Sequence, residues 1–312
     1  MKCKWIKKLT AGIIFLAAVG SLSGCQKAAT SENLFHDIEV NMTSVESAEE
    51  NQIVKLQMGD GDSAISQESN LDIEMTRDPA AVHRKGQQKT NMAGTKETQE
   101  MESYQVEEDG KTVIYSGTDE AWEKNAVEEK ETSSQQTVLF DGFQNLSGAF
   151  SVSQDLATVN KEECFELTGT ISGTQFQETF ADTLKALLGE DSSDLSGWNL
   201  QASEDEENNE ELQQKLNNVK VDCVIDIYRN NILPAKITFD LTDYLKAAGE
   251  ENAQVTSYTL EVTFVSYNDT KKIKVPKAVK ESAKDNGEDE AENSTDEMLE
   301  EENQEATAEA EA

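Results

Sequence analysis

The chain has 312 residues, of which 62 are acidic and 27 basic, so its formal net charge at pH 7 is −35. Nucleic acids and anionic lipid headgroups are poor partners for a folded part with this charge, because both bind proteins through Lys and Arg. Two His and four Cys residues leave little material for a His-rich metal site or a catalytic triad.

Residues 1–24 resemble the signal peptide of a bacterial lipoprotein. They begin with four lysines and no acid, continue with an apolar run at 11–19 that is too short to cross a bilayer, and end in Leu22-Ser23-Gly24 before Cys25. Small residues before a cysteine resemble the lipobox, in which that cysteine receives a diacylglycerol anchor and palmitate and becomes the mature N-terminus. We therefore predict lipidation at Cys25 and a location on the extracytoplasmic face of the cell membrane. An ordinary secretory signal with a chance cysteine is the alternative.

The leader at 25–33 is short and polar, and Cys164 and Cys223 are the two remaining cysteines of the mature chain. Cys223 shares one face of an alternating segment with apolar residues, whereas Cys164 points to the polar side of its own segment. Two cysteines on opposite faces of one sheet do not reach the Cα spacing of about 4–7 Å that a disulfide needs. We expect two free thiols, with a disulfide as the alternative.

Short segments in which apolar and polar residues alternate dominate the first half of the chain, and this is the pattern of half-buried strands. They lie at 35–45, 52–58, 70–77, 82–90, 101–107 and 112–116. Asp109-Gly110, between the last two segments, favours a tight hairpin turn.

The middle of the chain changes period. Apolar residues spaced by three and four predict amphipathic helices at 138–150 and 174–188, with a strand at 163–172 between them. The acidic segment at 189–211 allows two interpretations, a mobile lid or a solvated loop that docks through Trp198.

The C-terminal part has the clearest strand pattern. Segments 219–229 and 232–241 alternate on either side of Asn230-Asn231, which favours a type I′ turn, and 255–267 is a third long strand. Residues 277–312 are predicted as a disordered acidic tail, because 285–312 contains thirteen acidic and no aromatic residues.

No sequence motif indicates an enzyme. A P-loop, a dinucleotide fingerprint and a G-x-S-x-G elbow are missing from the sequence, and neither His36 nor His83 has the spacing of a zinc site. We expect no catalytic residue, metal or cofactor.

Nine or more antiparallel strands with two or three helices predict an α+β fold, a large curved antiparallel sheet (an incomplete β-barrel) with helices covering one face.

Four motifs in the C-terminal part are shared with one group of bacterial lipoproteins. They are Ile225-Asp226-Ile227-Tyr228-Arg229-Asn230-Asn231-Ile232-Leu233-Pro234-Ala235-Lys236-Ile237, Leu260-Glu261-Val262-Thr263-Phe264, Tyr267-Asn268-Asp269 and Ile273-Lys274-Val275-Pro276. This pattern resembles the LolA-like and LppX/LprG-like lipoproteins and the related uncharacterised lipoprotein families of Gram-positive bacteria. The resemblance extends over a predicted domain at 34–276.

The resemblance implies an incomplete barrel with a helical lid and an apolar interior, which carries lipids or lipoprotein acyl chains in characterised relatives. We therefore predict a monomeric lipoprotein, anchored to the membrane of a Gram-positive bacterium, that binds a hydrophobic or amphiphilic ligand. A non-catalytic envelope interaction or sensor module with a packed, empty core is the alternative. The candidate cavity-lining residues are Phe176, Phe180, Leu184, Ile225, Ile227, Tyr258, Leu260, Val262 and Phe264.

Overall fold

The computed structural model describes residues 29–60, 64–118, 121–127, 144–188, 212–248 and 254–285. Several predictions fall outside these residues and stay predictions. They concern the signal peptide and Cys25, most of the helix at 138–150, the acidic segment at 189–211 and the tail from 286 onward.

Within the described residues, twelve strands form a single sheet, and all neighbouring pairs are antiparallel except Ala121–Val127 with Ala283–Asp285, which are parallel. The strands are β1 (Ser47–Met58), β2 (Ile65–Arg77), β3 (Ala80–Met92), β4 (Thr95–Glu108), β5 (Lys111–Thr118), β6 (Ala121–Val127), β7 (Phe150–Val159), β8 (Glu162–Ser172), β9 (Lys220–Tyr228), β10 (Pro234–Asp240), β11 (Val255–Tyr267) and β12 (Ala283–Asp285). Their spatial order is β12-β6-β5-β4-β3-β2-β1-β11-β10-β9-β8-β7. The predicted fold class, a large curved antiparallel sheet with a few helices, is confirmed.

Within the described residues, four helices with complete bounds accompany the sheet, and residues 212–216 are also helical. The four are α1 (Ser31–Met42), α2 (Gly173–Leu188), α3 (Thr242–Ala248) and α4 (Lys277–Ser282). The prediction of a strand at 35–45 is wrong, because these residues belong to α1. Leu34, Phe35, Ile38 and Met42 recur at helical spacing and are all buried, and Thr30 caps the helix by accepting a hydrogen bond from the Asn33 N–H. Burial of this apolar stripe favours the helix over an extended segment.

Of the two hairpin turns predicted from the sequence, one has the predicted conformation and the other does not. Asp109 and Gly110 both have positive φ, 53° and 78°, as the predicted tight turn between β4 and β5 requires. The type I′ prediction at Asn230-Asn231 is wrong, since positive φ falls on Ile232, at 50°. The Asn231 side chain instead accepts a hydrogen bond from the Leu233 N–H, which stabilises a longer loop.

Two elements of the second half were not predicted. Strand β7 lacks a regular alternation of apolar and polar residues, because the register of its pairing with β8 shifts between Val152 and Leu156. Beyond Tyr267 the chain does not leave the fold: residues 268–285, here called the C-terminal strap, run along β1–β6 and contain α4 and β12. The described structure thus continues nine residues past position 276.

The sheet has two faces that we name by what covers them. The helix face carries the main apolar cluster, in which α1, α2 and α3 contribute side chains that pack on β1 and β7–β11. The outer face is the opposite one, and over β3–β6 it carries a second apolar cluster beneath the strap. Its members are Ala81, Tyr104, Val106, Val113, Tyr115 and Trp122 from the strands, with Ile273 and Val279 from the strap.

Candidate functional site

Eight of the nine predicted cavity-lining residues lie together in the main apolar cluster, and none of the eight is more than 3% exposed. The ninth, Leu184, is in α2, but its side chain is outside the described part of the structure. The eight residues therefore share one apolar core. Their use as the lining of a ligand cavity stays a prediction.

Aromatic rings fill the space between α2 and the strands. The Phe176 ring centroid lies 5.4 Å from that of Phe180, 5.5 Å from that of Phe239 and 5.0 Å from that of Tyr244. The Tyr244 hydroxyl donates a hydrogen bond to Gln177, so its polar end is satisfied inside the cluster. Under α2 the helix face is therefore a packed core, and free space for a ligand must be sought elsewhere on the sheet.

Glu50, which is 4% exposed, and the half-buried Arg84 interrupt the apolar helix face where the two halves of the sheet meet. Glu50 of β1 is opposite Ile73 of β2, and Ile73 is opposite Arg84 of β3, so the three side chains form one row across the sheet. Burial raises the pKa of the Glu50 carboxyl to about 7, and the positive charge of Arg84 opposes that rise. Burial also lowers the pKa of Arg84, against the favourable charge of Glu50.

Further polar and apolar side chains surround the pair. Gln52 and Gln105 point to the same face and are 2% and 9% exposed, and Arg84 donates a hydrogen bond of 3.4 Å to the Gln105 Oε1. Ile73 and Met75 supply buried apolar surface beside them. Burying charges costs free energy even when they are paired. A strongly perturbed carboxyl on an apolar face is for that reason a candidate binding position.

A separate cavity of about 500 Å³ opens on the outer face, between the sheet and the strap. The sheet contributes the side chains at its floor, and the strap covers it. The lining residues are Glu49, Glu74, His83 and Tyr104 from the strands, and Asp269, Lys271, Lys272, Ile273 and Lys274 from the strap.

Hydrogen bonds and stacking hold the His83 ring in the floor of this cavity. The Nδ1 atom lies 3.2 Å from Glu74 Oε2, the Nε2 atom lies 2.9 Å from Glu102 Oε1, and the ring stacks on Tyr104 with centroids 4.3 Å apart. Burial acts to raise the pKa of Glu102, but hydrogen bonds from His83, Tyr104 and Lys85 outweigh it and hold the pKa below its usual range. The floor is thus an aromatic and acidic surface held together by hydrogen bonds and ring stacking.

Neither the Glu50–Arg84 pair nor the His83 cluster was identified from the sequence as a site. Both lie in strands whose pattern was interpreted only as half-buried structure. The one available signal was the charged residue on the apolar face of its strand, such as Glu50, two positions before Gln52 and four before Val54. The lysines of the strap were not identified as a basic segment, because the chain as a whole is strongly acidic.

The two cysteines lie on opposite faces, as predicted. Cys223 is in the main apolar cluster on the helix face, and Cys164 packs on the outer face with Val159, Tyr228 and Ala235. Both are free thiols. Burial raises the pKa of Cys164 to about 11 and that of Cys223 well above its ordinary value, which disfavours the reactive thiolate at both positions.

No set of three or more His, Cys, Asp or Glu side chains is grouped to hold a metal ion within the described ranges. Among the same residues, no helix has both the length and the apolar character needed to cross a membrane.

A model of a family of unknown function, DUF6612, matches residues 30–284. The chain belongs to this family. No curated protein matches this DUF6612 member by sequence. In structure it is similar to the lipoprotein LppX of Mycobacterium tuberculosis, with 13% identity, a TM-score of 0.40, and coverage of 78% of this chain and 98% of LppX. It is similar also to LprF of Mycobacterium bovis, with 11% identity, a TM-score of 0.40, and coverage of 79% and 96%.

Proposed function

We propose that this DUF6612 protein is a bacterial lipoprotein, held outside the cytoplasm by acyl chains on Cys25, that binds an amphiphilic ligand on the helix face of its sheet. The anchor rests on the Leu22-Ser23-Gly24-Cys25 motif. Two or more acyl chains anchor a protein stably, at roughly 0.8 kcal/mol per buried CH₂ group.

The single observation that supports the ligand is the buried Glu50 carboxyl, with the half-buried Arg84 in the same row across the strands, on an otherwise apolar face. An amphiphile has an apolar body that would pack on Ile73 and Met75 and a polar end that would exchange hydrogen bonds with the pair and with Gln105. Apolar burial contributes about 25 cal/mol per Å² of surface removed from water. The position lies beside the packed core under α2, in agreement with the burial of the aromatic rings there.

The test is mass spectrometry under native conditions on the full chain, purified from bacterial membranes in mild detergent. We expect a co-purifying amphiphile with the unaltered chain and its loss from the double variant Glu50→Gln/Arg84→Met. Replacing both partners keeps side-chain volume and leaves no lone buried charge, so the fold is retained.

The matched control is Lys236→Met/Glu261→Gln. Their ion pair of 2.7 Å lies on the outer face of the same sheet, with both side chains about one-third exposed. This variant should keep the ligand. A bare protein mass for the unaltered chain, together with no fluorescence change of N-phenyl-1-naphthylamine, would contradict the proposal.

The second candidate function is a non-catalytic envelope interaction or sensor module without a ligand. The packing of Phe176, Phe180, Phe239 and Tyr244 favours it, because rings at centroid distances of 5.0–5.7 Å leave no room between them. A bare mass in the experiment above would select this function.

A further inference from the structure

We propose that the cavity on the outer face binds a small zwitterion, whose ammonium group lies at the carboxylates of the sheet and whose anionic group lies at the lysines of the strap. This site is distinct from the amphiphile position, which is on the opposite face. The proposal is carried by the way in which charge is distributed around the cavity.

Opposite charges line the two sides of the cavity. The sheet supplies the carboxylates of Glu49 and Glu74, and the strap supplies Lys271, Lys272 and Lys274. Asp269, at the beginning of the strap, adds a third carboxylate to the lining. The strap is the exception to the acidity of the chain, since 271–284 contains six lysines and one glutamate.

The charges at the cavity are not compensated by each other. Within the described residues, Glu49 and the three lysines Lys271, Lys272 and Lys274 make no ion pair, and the three lysines are exposed. The lysines farther along the strap differ, because Lys277 lies 3.2 Å from Glu281 and Lys280 pairs with Glu108. A ligand that carries both charges would complete both sides of the cavity at once.

The floor is suited to an ammonium group. The stacked rings of His83 and Tyr104 present an aromatic surface beside the carboxylate of Glu74, and an ammonium group is attracted to both. Because the Glu102 carboxylate is hydrogen-bonded to both His83 and Tyr104, this surface is already ordered before a ligand binds. Preorganisation of this kind lowers the entropic cost of binding.

The size of the cavity limits the ligand to a small molecule. A volume of about 500 Å³ falls in the range of roughly 300–1,000 Å³ that is usual for small-molecule sites. Dipeptides and glycerophosphoethanolamine both have an ammonium group and an anionic group in one small molecule. The first would come from solution and the second from a lipid headgroup.

The position of the cavity favours a ligand from solution, given an anchor at Cys25. Ser31 at the start of α1 donates a hydrogen bond to the Ser147 carbonyl, three residues before the first residue of β7. The strap begins at the other end of the strands, where Tyr267 donates to the Pro234 carbonyl. Through the strand register, Phe150 is level with Leu260, seven residues or about 23 Å along β11 from Tyr267. A leader of five or six residues reaches about 20 Å at most.

Isothermal titration calorimetry on the full chain in detergent at pH 7 tests the proposal. The ligands are Ala-Ala, glycerophosphoethanolamine, inorganic phosphate and ethylamine. We expect binding of Ala-Ala, with phosphate and ethylamine each bound about tenfold or more weakly, because each makes only one of the two charge contacts. Binding of glycerophosphoethanolamine in place of Ala-Ala would support the zwitterion and identify a lipid headgroup as its source.

Two pairs of variants complete the experiment. Lys271→Met/Lys272→Met should weaken Ala-Ala binding by about tenfold or more, and the matched variant Lys277→Met/Lys284→Met, on the same strap outside the cavity, by less than about twofold. Glu49→Gln is compared in the same way with Glu107→Gln on the surface of β4. No heat with either zwitterion, equal affinity for phosphate alone, or equal effects of the paired variants would overturn the proposal.

Discussion

The two halves of the sheet bury opposite faces. In β7–β11 the helix face is apolar and packed under α1, α2 and α3, and the outer face carries polar side chains such as the ion pair of Lys236 and Glu261. In β3–β6 the outer face is apolar and packed under the strap. Both halves show the same alternation of apolar and polar residues.

This difference teaches that alternation identifies a strand without saying which of its faces is covered. The helices cover one half and the strap covers the other, so the apolar side of the strands changes face between β1 and β3. Glu50 and Arg84 lie on the helix face at that change. The outer cavity lies on the other face at the same place, between Glu49 and the strap.

The largest expected effect is on the apolar core that covers the helix face of β7–β11. Phe239→Ala removes a ring that packs on Phe176 and Phe180 at 5.5 and 5.7 Å and should lower the free energy of unfolding by about 3–5 kcal/mol. Urea unfolding monitored by circular dichroism measures it. Leu156→Ala, at a side chain 45% exposed, is the control and should change stability by less than about 0.5 kcal/mol. Equal effects of the two variants would contradict the packing described here.

The second effect concerns the pH dependence produced by Glu50. Its pKa is raised from 4.5 to about 7 in the folded state, so between these values the folded chain binds a proton that the unfolded chain has lost. The contribution of Glu50 to stability is therefore fully present below pH 4.5 and is lost as the pH rises to 7, by about 3 kcal/mol.

The measurement is urea unfolding at pH values between 4.5 and 8, for the unaltered chain and for Glu50→Gln/Arg84→Met. The double variant should lack this decline, while Lys236→Met/Glu261→Gln should retain it. The same pH slope in the unaltered chain and in the Glu50 double variant would show that the carboxyl of Glu50 does not have a raised pKa.

The smallest effect is on the apolar cluster between β3–β6 and the strap. Val279→Ala in α4 removes two methyl groups from the cluster beneath the strap and should lower the free energy of unfolding by about 1–2 kcal/mol. Val265→Ala, where the side chain is 53% exposed, should change it by less than about 0.5 kcal/mol. If Val279→Ala has no larger effect than this control, the strap is not a packed part of the fold.

The sequence predicted local structure best where one rule acted alone. Strand β11 has the predicted bounds, and α2 differs from its prediction by one residue at its start. The prediction failed at α1, whose residues satisfy both a strand and a helix pattern over a short window, and at β7, where an irregular pairing breaks the alternation. The covering of β3–β6 by 268–285 was not predictable, because the strap itself has almost no periodic pattern.

The candidate sites show the same division. The residues Phe176, Phe180 and Tyr258 were grouped correctly, because apolar periodicity indicates the buried side of an element. The contacts of His83 with Glu74, Glu102 and Tyr104 join three strands, and the register between strands decides them. The sequence could not identify which carboxylates contact His83, because it contains many acidic residues and each was an equally plausible partner.

By itself, the sequence determined the fold class, most of the strands, the long amphipathic helix and the opposed faces of the two cysteines. These features follow from the spacing of apolar residues and from turn residues, which act over a few positions along the chain. Only the tertiary structure decided which face of each half is covered, that the Glu50 carboxyl is buried on the same face as the half-buried Arg84, and that the strap lysines face the glutamates of the sheet. Those features depend on strand register and on contacts between residues far apart in the chain, for which local periodicity carries no information.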